Sequence, residues 1–131
     1  MPHVDYTNKM DKNTSQHIEI KHHNQHLILT LDGEIDAYMV TQFRPYISDA
    51  LDEESKTSIL INLETVTFID SHAIGLFVHI LKRIHAVKGI LSFTGATGQP
   101  ASVLNMVGFN DELVSYFDTL DDAIKQLDKE V

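Results

Sequence analysis

Residues 59–75, ILINLETVTFIDSHAIG, decide the fold. Ile59, Leu60, Ile61 and Leu63 surround a single Asn62, and an apolar run without alternation reads as a strand covered on both faces, as inside a parallel sheet. Val66, Phe68 and Ile69 are expected to pin a short link against the core. Asp70 and Ser71 are both good N-cap residues. Beyond them Ala73, Phe77, Ile80, Ile84 and Val87, flanked by Leu76 and Leu81, recur at helical spacing. The stretch is a buried strand that delivers a serine to the start of a helix. On the helical wheel Ser71, Gly75, His79, Lys82 and Ala86 fall opposite the apolar arc, on a side left to solvent or a partner. Gly75 costs a helix interior about 1 kcal/mol relative to Ala and leaves a surface that another chain can approach closely. The alternative for Ser71 is that it only caps the helix.

Moving outward towards the N-terminus, Gly33-Glu34-Ile35-Asp36 closes an extended segment, His26 to Leu31, and the polar link HHNQ joins it to a shorter one, Ile18 to Lys21. Met39, Val40, Phe43, Ile47, Ala50 and Leu51 place a first helix within Ala37 to Glu54. Pro45 inside it predicts a kink or a start delayed until after Thr41, because proline removes a backbone donor and crowds the preceding turn. On the other side, Lys88-Gly89 ends the second helix and Ile90 to Phe93 is the next strand. Gly95, Gly98 and Pro100 mark a loop. Ala101, Val103, Leu104 and Val107 give a short third helix closed near Gly108, Val114 to Phe117 a last strand, and Thr119 with Asp122 a capping box ahead of Leu120, Ala123, Ile124 and Leu127.

Strands alternating with helices imply right-handed crossovers and a mostly parallel central sheet of about five strands with about four helices packed on it. Function in such sheets gathers in the loops after the strands. Both GEIDA (33–37) and TFIDSHAIG (67–75) lie there and are expected to meet at one edge.

At 131 residues the chain is one domain with a core of useful size, residues 17–131, preceded by a polar segment, 1–16, that reads as a flexible tail. The 43% hydrophobic and 22% charged composition is that of a globular protein. No apolar run approaches the ~20 residues that span a bilayer, and MPHVDYTNKMDKNTSQ lacks the apolar core of a signal peptide. A cytoplasmic location without direct membrane insertion is expected. The absence of cysteine removes disulfides and thiolate metal sites. Lys+Arg 10 against Asp+Glu 19 gives a net charge of −9, which repels phosphate backbones and argues against nucleic acid as a partner.

The two motifs, in this order and spacing, make residues 17–128 resemble a STAS domain, the fold of the bacterial anti-sigma factor antagonists. Gly33-Glu34-Ile35-Asp36-Ala37 is similar to the signature after the family's second strand, and Thr67 to Gly75 to its second signature. The resemblance implies that Ser71, directly after Asp70, is phosphorylated by a partner that is both serine kinase and anti-sigma factor, and that a phosphatase reverses this. It implies a partner-binding face of Asp36, Asp70, Ser71, His72, Gly75, His79 and Lys82. Unmodified protein would bind the anti-sigma factor and phosphorylated protein would let go. A phosphate at a helix N-terminus meets unpaired N–H groups and the positive end of the helix dipole, so the domain need not unfold to accept it. His72 and Ala73 depart from the family pattern, which has Ser or Thr and then Gly. Ala73 stiffens the helix start, and His72 sets a ring beside the acceptor that bears on kinase docking or pH response.

Other chemistries fit less well. Asp70-Ser71-His72 suggests a hydrolase, but sequence neighbours at a helix start point in different directions, and there is no G-x-S-x-G elbow. No catalytic residue is expected. His22, His23 and His26, and His72 with His79, raise metal binding. The latter pair are about 10 Å apart along a helix, and surface histidines are the better reading. GATG (95–98) lacks the ending of a phosphate loop and reads as turn glycines. No metal or cofactor is expected. A different class of function is a constitutive STAS accessory subunit, of a stressosome-like assembly or a membrane lipid transporter, in which the same helix face is a permanent interface.

Overall fold

The computed structural model describes residues 18–53 and 56–129; the segment 1–16, read above as a tail, lies outside them. The chain runs β1 (Ile18–His23), β2 (His26–Ile35), α1 (Ala37–Glu53), β3 (Ser58–Ile69), α2 (Ser71–Ala86), β4 (Ile90–Thr94), α3 (Gly98–Met106), β5 (Ser115–Phe117) and α4 (Leu120–Lys129). The five strands lie in sequence order. β1 is antiparallel to β2 and the other three pairings are parallel, so the sheet is mostly parallel, as alternation of strand and helix requires.

Both faces of β3 are covered, which is why its sequence shows no alternation. Ile59, Ile61 and Leu63 join the larger core with Met39, Phe43 and Ile47 of α1, Leu76, Phe77, Ile80 and Ile84 of α2, and Leu104 of α3. Leu60 packs the other way, with Ile28, against Ala123 and Leu127 of α4.

Several boundaries differ from expectation. β1 extends through His23, so the link is only Asn24-Gln25, with Asn24 at φ 54° making the tight turn. His22 and His26 are consequently buried, not surface residues as expected. His26 is fully enclosed, its Nδ1 2.9 Å from Ser58 Oγ and its Nε2 2.8 Å from Asp128 Oδ1. That Ser-His-Asp chain ties α4 to the start of the sheet, at the end away from Ser71, and a serine only 5% exposed is closed to substrates.

α1 begins at Ala37, not after Thr41. Pro45 is tolerated because it and Thr41 lie on the exposed side, where water reaches the Thr41 carbonyl that proline leaves without a donor. α3 likewise starts at Gly98 rather than Ala101: Pro100 sits in its first turn, where no intrahelical N–H bond is needed. β5 is shorter by one residue, beginning at Ser115. Val87, expected on the apolar arc, is the C-cap of α2 and half exposed.

The largest departures concern the strands that lead to the site. β2 continues through Ile35 past Gly33, whose φ of 84° and adjoining register shift mark a bulge. β3 is one strand to Ile69 rather than a strand plus a link. Val66 and Ile69 are buried as expected, but Phe68 is 40% exposed, because a strand that buries Ile69 turns its predecessor outward.

Candidate functional site

β2 and β3 are neighbouring parallel strands, so whatever follows them arrives at the same edge of the sheet. Ile35 pairs with Ile69, and the Asp70 amide donates to the Ile35 carbonyl at 3.3 Å. Both segments then turn into helices through an aspartate. Asp36 Oδ1 accepts from the Met39 N–H at 3.0 Å and so caps α1. Asp70, in extended conformation, caps α2: its Oδ1 accepts from the His72 and Ala73 amides at 2.8 and 3.1 Å.

This pattern shows which residue caps α2. The serine is not the cap; Asp70 is. Ser71 is the first residue of α2 and is exposed, and its hydroxyl makes no hydrogen bond among the described residues. It is presented at the end of the helix where backbone N–H groups lack intrahelical acceptors.

His72 leans back over the same turn. Its Nδ1 is 3.5 Å from Asp70 Oδ2, and the ring is 61% exposed. One oxygen of Asp70 is thus held by two backbone amides and the other faces an imidazole, while no imidazole nitrogen reaches the Ser71 hydroxyl. Because the cap carries two of the first-turn amides, Asp70→Ala is expected to cost about 1 kcal/mol. That loss would be read as a lower urea midpoint with faster hydrogen exchange at His72 and Ala73, and Asp70→Asn should restore most of it. An unchanged midpoint would mean that the helix start does not depend on this carboxylate.

Sequence reasoning missed two further features. β4 accompanies β3 only as far as Asn62, paired with Thr94, which leaves the last half of β3 without a neighbour on that side. At Ile69 the side chain of Gln99, in the first turn of α3, takes the missing strand's place. Its Oε1 accepts from the Ile69 N–H at 2.9 Å and its Nε2 donates to the Ile69 carbonyl at 2.8 Å. Both backbone groups of the residue before Asp70-Ser71 are therefore held by one side chain. Gly95 of GATG serves the same approach: a Cβ there would lie 2.9 Å from Glu64 Cα, so the loop packs directly on β3 and is no phosphate cradle.

The second feature is apolar. Two apolar side chains, Phe68 at the end of β3 and Tyr38 in the first turn of α1, are 40% and 58% exposed near this edge.

The remaining expected residues lie along α2. Gly75 is exposed, and a Cβ there would meet nothing within 4 Å. Lys82 is exposed and His79 half-buried. By helix rise they stand about 12 Å (His79) and about 16 Å (Lys82) beyond Ser71, so they extend the same face without joining the serine. Among the described residues no group of three or more His, Cys, Asp or Glu is placed to hold a metal ion, and no helix is long and apolar enough to cross a membrane.

Comparison with known proteins bears on this edge. The family model described as the STAS domain matches residues 17–123. The chain is 36% identical over 63 residues to the anti-sigma F factor antagonist of Lysinibacillus sphaericus, an alignment covering 48% of this chain and 54% of that protein. It is 24% identical over 111 residues to the anti-sigma F factor antagonist of Paenibacillus polymyxa, covering 85% and 94%. Among solved structures, the Bacillus cell fate determinant SpoIIAA in its phosphorylated form superposes with a TM-score of 0.70 at 24% identity, covering 85% of this chain and 99% of that one. This last likeness establishes a shared fold.

Proposed function

Since the chain belongs to the STAS domain family, we propose that it is a non-enzymatic phosphoswitch of the anti-sigma factor antagonist kind. It binds a partner that is both serine kinase and anti-sigma factor through the face of Asp36, Asp70, Ser71, His72, Gly75, His79 and Lys82, with Tyr38 and Phe68 as apolar anchors. Phosphorylation of Ser71 by that partner breaks the contact, and a phosphatase restores it.

The observation that carries the reading is the division of labour at the start of α2. Asp70 takes over the capping, which leaves the Ser71 hydroxyl exposed and without a structural task. A serine needed for the cap would resist modification; this one is at liberty to accept a phosphate. The positive end of the helix dipole then stabilises the added charge. The names of the relatives, and the existence of a fold relative in a phosphorylated form, support the same assignment.

The test is mass spectrometry of the protein purified from its native cells under several growth conditions. The tryptic peptide from Thr57 to Lys82 contains Ser71 together with Thr57, Ser58, Thr65 and Thr67, which fragment ions separate. Phosphate on Ser71 whose occupancy changes with condition is expected. Its absence under every condition, with the protein locked in a large assembly or on a membrane transporter, would replace the switch by a constitutive accessory subunit.

A further inference from the structure

Among the described residues, the edge of the sheet that presents Ser71 has formal charge of one sign. Asp32, Glu34 and Asp36 lie at the end of β2, Glu64 and Asp70 along the end of β3, and Asp118 after β5. Residues 30–43, 63–81, 94–102 and 115–124, which build this edge, contain no lysine or arginine. The first cationic residues along the two helices are Arg44 and Lys82, about two and about three turns from the helix starts. Phosphoserines are commonly received by arginine. Neither arginine of the chain, Arg44 or Arg83, lies in the first turn of α1 or α2.

What stands beside the acceptor is His72. Its ring already leans on a carboxylate, with Nδ1 3.5 Å from Asp70 Oδ2, and it is exposed enough to take up a proton from solvent. Asp70 is the carboxylate in contact with the ring; among the described residues, the charged groups at the same edge on the adjoining elements are Glu34 at the end of β2 and Asp36 ahead of α1, and the first turn of α3 brings the neutral amide of Gln99. Helical side chains tilt towards the N-terminus, so the imidazole and a phosphate on Ser71 occupy the same end of α2.

We propose that His72 is the counter-charge of the Ser71 phosphate, so that phosphorylation and proton uptake are coupled and the switch responds to pH. This rests on Ser71 being the phosphoacceptor. The sign follows from charge. A phosphate adds about −1.5 to −2 beside an imidazole, which favours the imidazolium and moves its titration to higher pH. By reciprocity a protonated His72 favours the phosphate dianion and moves the second phosphate titration to lower pH. Above both transitions the partner meets the full charge of the phosphate. Below the imidazole transition, the proton on His72 cancels part of that charge, and release of the partner weakens. An exposed pair of this kind is expected to change proton affinity by about threefold to tenfold, and less at high salt.

The experiment uses the full chain with phosphoserine incorporated at position 71 during synthesis, compared with the unmodified protein. Imidazole resonances are followed by NMR across about pH 5 to 8.5, the range in which histidine changes charge, with His72 identified by its loss in His72→Gln. The midpoint of His72 should rise on phosphorylation, by the equivalent of a threefold to tenfold gain in proton affinity, while His79, two turns away, moves much less. The phosphorus resonance should titrate at higher pH in phosphorylated His72→Gln than in the phosphorylated wild type. A His72 midpoint indifferent to phosphate, or a phosphorus titration indifferent to His72→Gln, overturns the coupling. No partner is needed, so the outcome is separable from the proposed function. Failure of phosphate to appear on Ser71 in cells would remove the switch while leaving the measured coupling intact.

Discussion

Ser71→Asp is expected to weaken binding of the proposed kinase/anti-sigma partner at least about tenfold in calorimetry, and a true phosphate to cost about 2–4 kcal/mol. Ser71→Ala should bind within about threefold of wild type. The two variants should also diverge in stability, in the opposite sense. An acidic residue in the first turn interacts favourably with the helix dipole, by about 0.3–1 kcal/mol, so Ser71→Asp should unfold at slightly higher denaturant than wild type. Ser71→Ala should differ little, because Asp70 rather than Ser71 supplies the cap. A variant that folds better and binds worse separates a switch from damage. Equal affinity of the Ala and Asp variants for the partner would end the phosphoswitch reading.

The stretch that carries this serine was legible because its determinants are local. A strand covered on both faces reads as an apolar run, and an aspartate followed by helical periodicity reads as a helix start. The alternation of strands and helices then brings Asp36 and Asp70 to one edge, where Ile35 pairs with Ile69. Which of two capping residues would cap was not legible, since Asp70 and Ser71 both suit the position and only the geometry assigns the bonds.

What escaped the sequence is non-local. The second half of β3 contains Glu64, Thr65 and Thr67, polar enough to resemble a link. It is a strand because β2 pairs with it as far as Ile69 and Gln99, 30 positions away in sequence, completes its other side at the last residue. His26 was misread as a surface residue for the same reason. Its partners, Ser58 and Asp128, are 32 and 102 positions away, and a histidine in a polar run gives no hint of either. Phe68 follows from the first error: once β3 is taken to end early, nothing fixes which side of the chain it faces.

Phe93→Ala should produce the largest loss of stability, about 3–5 kcal/mol, a third or more of the ~5–15 kcal/mol that holds a domain of ordinary stability together. Phe93 on β4 is fully buried and meets three rings. Its centroid is 5.3 Å from Phe77 of α2 and 5.7 Å from Phe109, both edge-on, and 5.7 Å from Tyr116 of β5, stacked. Tyr116 donates its hydroxyl to the Phe109 carbonyl. Burial pushes the pKa of that phenol up, with the Asp111 carboxylate adding to the shift, so the hydrogen-bonding neutral form is retained. Losing the Phe93 ring therefore leaves a cavity between α2, the segment after α3, and β5. The consequence reaches the site, because α3 carries Gln99 and α2 carries Ser71. Hydrogen exchange at Ile69, whose amide Gln99 receives, should accelerate more in Phe93→Ala than in Leu127→Ala, which opens the core on the opposite face under α4. Acceleration that in each variant merely matches its own loss of global stability would show that Ile69 exchanges only by global unfolding and that the aromatic cluster has no privileged hold on the strand presenting the serine.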